Sequence, residues 1–174
     1  MPDPANNPLQ PVQASFARLR RNHGLEHATI HMLSKRGLGP ILGHSDAGGF
    51  WLFGDLATDD VRAASDEALA RLRAGERGLA IHPNCGTNLV TSGLLAGFAG
   101  AAAMSGAGPR RRDRIERLPF AAFFATIALL LARPLGARLQ QRVTTSGEPG
   151  DLEILAIRYT TRAGQPAHRI TTSS

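Results

Sequence analysis

His23-Gly24-Leu25-Glu26-His27 sets two imidazoles four residues apart with a carboxylate beside the second. On a helix this spacing leaves His23 and His27 about 40° apart around the axis and one turn from each other, close enough to bind one zinc ion. Glu26 then lies next to the pair, its carboxylate available to a water molecule. His31 continues the same stripe by a further turn. Two histidines do not complete a metal site. The donors for the rest are in His82-Pro83-Asn84-Cys85-Gly86-Thr87-Asn88, where an imidazole and a thiol share one turn. Both are good zinc ligands. Cys85 stands near the start of an apolar helix, whose dipole favours the thiolate. The plain alternatives are a face of half-exposed histidines without metal, and a turn held by Pro83 and Gly86 with a small buried thiol.

Three chemistries fit these residues. In a zinc (Zn) hydrolase, His23 and His27 hold the metal and His82 or Cys85 completes it. Glu26 takes the proton from the metal-bound water, and a peptide or other small molecule is the substrate. In a non-catalytic site, His23, His27, His82 and Cys85 close all four positions and the metal is structural, stored or sensed, since catalytic zinc keeps a position open. In a thiol hydrolase, Cys85 is the nucleophile with a histidine as base and Asn84 or Asn88 as the orienting group. Gly37-Leu38-Gly39 lacks the Lys-Ser/Thr ending of a P-loop, so a nucleotide site is not expected.

The histidine stripe needs a helix, and the pattern from 15 to 36 supplies it through Phe16, Leu19, Ile30 and Leu33, closing at Gly37, Gly39 and Pro40. Gly24 costs that helix about 1 kcal/mol relative to alanine. Short strands are expected at 41–44 and 50–53 around Ser45-Asp46-Ala47-Gly48-Gly49. Thr58 reads as the N-cap of an amphipathic helix ending at Gly75, and 79–81 as a third strand leading into the His82 turn. Strands at 152–160 and 168–172, around Ala163-Gly164-Gln165-Pro166, are expected to join the same sheet.

Between these parts lie two uncharged blocks. Residues 89–107 rise about 28 Å as a helix, close to the hydrocarbon thickness of a bilayer. Gly93 and Gly97 give the Gly-x-x-x-Gly spacing through which membrane helices approach, in this case as a homo-oligomer. Residues 110–117 form an arginine-rich turn. The second block runs from 118 to 131 with Pro119 at a favoured first-turn position, and extends to 139 if Arg133 snorkels. The competing reading is a buried helical pair in a soluble core.

The formal charge of +6 comes almost wholly from arginine, Lys35 being the only lysine, and aromatic residues make up 5%. With few aromatics and no RNA-binding motif, a lipid bilayer is the expected partner and a nucleic acid is not. Cys85 is the only cysteine, which excludes an intrachain disulfide. The Pro/Asn-rich start has no apolar core of a secretory signal. A polar domain on the cytoplasmic side of the membrane is therefore expected, although the arginine turn claims that side for itself.

Asn22-His23-Gly24-Leu25-Glu26-His27-Ala28-Thr29, then His82-Pro83-Asn84-Cys85-Gly86-Thr87-Asn88 and an apolar hairpin, resemble an uncharacterised family of small bacterial membrane proteins. That resemblance spans roughly residues 15–172. It implies an architecture and a bacterial origin but no reaction. Locally, H-x-x-E-H resembles the signature of the inverzincin metallopeptidases. The expected organisation is a disordered lead-in (1–14), the α/β part of a metal-binding domain (15–88), a membrane hairpin (89–139) and C-terminal strands completing the domain (140–174). The fold class is α+β: a small sheet with two covering helices and an inserted two-helix transmembrane hairpin.

Overall fold

The computed structural model describes residues 10–173, so the expected disordered lead-in lies outside the described residues as far as position 9. From Gln10 the chain is already helical, and α1 runs Gln10–Lys35. Gln, Val and Ala sustain its first turn, where the missing N–H of Pro11 is not needed. A β-hairpin follows, β1 (Leu42–Asp46) and β2 (Gly49–Phe53), its turn closed by the Asp46 carboxylate accepting from the Gly48 N–H at 2.8 Å. The second helix, α2, is Thr58–Arg73, capped at Ala57 rather than at Thr58. Thr58 is the first helical residue, and its hydroxyl is spent on His168 Nε2 at 3.0 Å.

Residues 79–81 are not a strand. Arg77–Ala80 is a 3-10 turn, with Leu79 N–H donating to Glu76 O and Ile81 N–H to Gly78 O. This winding withholds the Ala80 and Ile81 carbonyls from any β ladder, and both go to histidines. After the helical segments, β3 (Glu153–Arg162) and β4 (Gln165–Ser173) form a second hairpin, which reaches further into its turn than the expected limits of 160 and 168. Ala163 and Gly164 both take positive φ in its two-residue turn. The sheet is antiparallel throughout in the order β1-β2-β4-β3, with a bulge at Leu155.

The chain divides into two compact units, Pro83–Gln140 and the remainder of the described residues. In the α+β unit, α1 and α2 cover one face of the sheet. Leu25, Met32, Leu33, Phe50, Leu52, Val61, Leu152 and Ile170 form its core, each 3% exposed or less. Inside, Asn22 donates to Asp46 O and accepts from the Thr172 hydroxyl at 2.7 Å, whereas Ser65 Oγ and His168 Nδ1 are buried without a hydrogen-bond partner.

The helical unit has the opposite character. The third helix, α3, is Gly86–Met104, and α4 is Arg111–Leu139, running on through a π turn, Gln140–Thr144. The arginine run at 110–117 is thus not a turn but the first two turns of α4. Arg112 pairs with Glu116 one turn on, and Arg117 reaches back to the Ser105 carbonyl. Pro119 accordingly sits inside the helix, not in its first turn. Apart from Thr91, Ala132 and Gly136, the two helices bury almost nothing. Phe98 is 71% exposed and Leu130 63%, so they are not a buried pair in a soluble core. Both are long and apolar enough to cross a membrane. Gly100 packs on Ala121 and Ala125 of α4, whereas nothing approaches Gly93 or Gly97.

A candidate metal centre

Burial of α1 is concentrated between Asn22 and Leu33, and the histidine stripe lies within that stretch. The stripe is positioned by two segments distant in sequence. The first is residues 142–146, which Arg20 ties to α1 through the Arg142 and Thr145 carbonyls at 3.1 and 3.0 Å, while the Ser146 N–H donates to Arg20 O. The second is the 3-10 turn, which passes near Gly24. A methyl group at position 24 would collide with the Ser146 carbonyl and lie 3.3 Å from Ala80 Cβ. The helix-weakening glycine is what lets both segments close on the histidines.

Each segment supplies a carbonyl to an imidazole. His23 Nδ1 is 2.9 Å from Thr144 O, His27 Nδ1 is 2.8 Å from Ala80 O, and His31 Nε2 is 3.0 Å from Ile81 O. A carbonyl only accepts, so the nitrogen facing it carries a proton, and in the neutral form of the ring the lone pair is on the other nitrogen. In His23 and His27 that nitrogen is Nε2. Carbonyl support behind a ligating imidazole fixes its tautomer and orientation in metal sites.

The four rings form a row: His23 and His27 have centroids 4.4 Å apart, His27 and His82 5.7 Å, His82 and His31 4.8 Å. Burial, then the neighbouring His31 and His27, push the His82 imidazole down to about 4, so it is neutral at physiological pH. Cys85 follows His82 by three residues as the N-cap of α3 and is 7% exposed. His23, His27 and Cys85 are the donors that could hold a metal ion. His82 is not in that trio.

Glu26 is 4% exposed and faces β1, where it accepts from the Ser45 hydroxyl. A side chain at Gly43 would overlap its carboxylate. Burial raises the Glu26 carboxyl above its ordinary value, opposed by the Ser45 hydrogen bond and by His23. Asn88, a candidate orienting group for a thiol nucleophile, donates to Pro83 O at 2.7 Å and accepts from Gln140 Nε2 at 2.8 Å. Sequence reasoning missed Arg20, Thr144, Ser45 and Gly43; only the glycine inside α1 signalled that something approaches there.

A family model described as a domain of unknown function, DUF6391, matches residues 18–157, which takes in the histidine stripe, the His82–Asn88 turn and both apolar helices. The chain belongs to the DUF6391 family. It is 36% identical over 162 residues to an uncharacterized protein of Picosynechococcus sp., covering 86% of this chain and 77% of that protein. No solved structure matches.

Proposed function

We propose that this DUF6391 protein is a membrane-anchored metal-binding protein that holds one zinc ion on His23 and His27 of the α+β unit, with Cys85 as the thiol ligand. The observation that carries the reading is the row of four imidazoles in the α+β unit, in which His23 and His27 are held by the carbonyls of Thr144 and Ala80. Two imidazoles and a thiolate suit zinc, and the neutral His82, its ring 5.7 Å from that of His27, is a further donor for the fourth position. The exposed apolar surfaces of α3 and α4 support insertion in a bilayer, and the proposal takes this to be a bacterial inner membrane with the polar domain in the cytoplasm. Metal analysis of the detergent-purified protein tests the site. About one equivalent of zinc is expected for the wild type, falling below a tenth for His23→Ala and Cys85→Ala. Equal metal content in all three would remove the site.

A second reading, zinc-dependent hydrolysis of a peptide or other small substrate, is favoured by Glu26. It is a buried carboxyl next to His23 with its affinity for protons raised, as a general base requires. On this reading Glu26→Gln keeps its metal and loses any peptidase activity of the wild type. If Glu26→Gln sheds metal instead, the carboxylate supports the ligands and is not the base.

A further inference from the structure

Within the α+β unit no helix among the described residues covers the face of the sheet turned away from α1 and α2, and its composition is neither core-like nor plainly polar. Across the strands the register sets His44 beside Trp51, Trp51 beside Arg169 and Arg169 beside Arg158. One step along, it sets Leu42 beside Phe53. Leu42 is 69% exposed, and Trp51 and Phe53 are half-exposed. The Arg162 and Arg169 guanidiniums stand 4.5 and 5.2 Å from the Trp51 ring centroid. Asp46 takes a bidentate pair from Arg169, leaving Arg158 and Arg162 as the cations that the face offers outward.

We propose that this face, built on Leu42, Trp51, Phe53, Arg158, Arg162 and Arg169, docks on anionic phospholipid headgroups. An apolar patch edged by arginine, with tryptophan between, is the composition of a surface that lies at the headgroup level of a bilayer. Arginine beside an anionic leaflet gains attraction that zwitterionic lipid does not offer. A single-stranded nucleic acid would use the tryptophan as a stacking platform, but guanidiniums already occupy that ring. The inference rests on the membrane reading of the chain and is independent of the metal.

Trp51 is the only tryptophan in the chain, so its fluorescence reports on this face alone. The experiment uses the full chain reconstituted in vesicles of phosphatidylcholine, with or without a third of phosphatidylglycerol, and two quenchers: a headgroup-labelled nitroxide lipid and aqueous iodide. A membrane float of each sample first establishes insertion, so a protein that fails to insert contradicts the membrane reading rather than the docking face. With phosphatidylglycerol, the ratio of lipid to iodide quenching should rise about twofold or more and return to baseline in 1 M salt, where charges are screened beyond about 3 Å. Arg158→Glu and Arg162→Glu, both on exposed positions, should each weaken the rise, and together abolish it. A ratio indifferent to anionic lipid overturns the proposal. So does a rise that survives in the double variant, or quenching by added oligothymidylate in zwitterionic vesicles.

Discussion

The α+β domain and the helical pair invert each other's chemistry. In the domain, apolar side chains are enclosed and several polar groups among them are matched, Asn22 to Thr172, Glu26 to Ser45 and three imidazoles to three carbonyls. In the pair, leucine and phenylalanine are turned outward and only Thr91, Ala132 and Gly136 are buried. A run of apolar residues therefore identifies a core helix or a membrane helix equally well. What separates them is whether other parts of the chain cover it. The polar domain can position reactive groups because its pairing is directional: one ring nitrogen of each of these histidines faces a backbone carbonyl, which fixes how the ring is turned.

The contrast can be broken most sharply with one residue type in both regions. Leu25→Ala in the enclosed core should lower unfolding stability by about 2–5 kcal/mol, while Leu130→Ala should leave that transition unmoved. Chemical denaturation in detergent measures both. Leu130→Arg, in contrast, should impair insertion by about 2.5–3.5 kcal/mol, so a fraction of that variant should leave the membrane on alkaline carbonate washing where the wild type does not. If Leu130→Ala destabilises the domain as much as Leu25→Ala, the helical pair is not lipid-facing.

Gly24→Ala sharpens the polar side of the comparison. Helix propensity alone would make alanine better by about 1 kcal/mol. The collision with the Ser146 carbonyl should reverse the sign and weaken metal affinity as well, since the segment carrying Thr144 must retreat. Calorimetric melting and metal titration should therefore move together. A stabilised variant with unchanged affinity would show that the close approach is not needed.

Acid should produce a smaller effect. Burial holds His168 below its ordinary value, and His82 is lowered as well. Between the ordinary imidazole value near 6.5 and the lowered native one, the unfolded chain binds more protons than the folded chain. Stability is thus complete above about pH 6.5 and declines as pH falls below it. Thermal melts of metal-free protein from pH 8 to pH 5 should show the decline, and His168→Gln should reduce its slope. A melting temperature rising toward pH 5 would contradict the assignment.

The parts of this molecule written in side-chain spacing were legible in the sequence. The His23–His31 stripe needs only the 3.6-residue period, and the β1–β2 turn announces itself through Asp46-Ala47-Gly48. The apolar helices were found, with the start of the second misplaced, because an arginine run reads as a turn until Arg112–Glu116 and Arg117–Ser105 show it wound into α4. The 79–81 error has another origin. Three apolar residues cannot distinguish a strand from a 3-10 turn, and the deciding interaction is a backbone carbonyl meeting His27 from 53 positions away. Backbone acceptors have no residue code, so the groups that orient the histidines could not be read in advance.

The central claim, a zinc ion on two imidazoles and one thiolate, is tested most directly by X-ray absorption at the zinc edge of the purified, zinc-loaded protein. The account predicts one sulfur at about 2.3 Å and at least two imidazole nitrogens at about 2.0–2.1 Å, with the sulfur shell absent in Cys85→Ser. A wild-type spectrum fitted by nitrogen and oxygen alone, without sulfur and identical to that of Cys85→Ser, would contradict it.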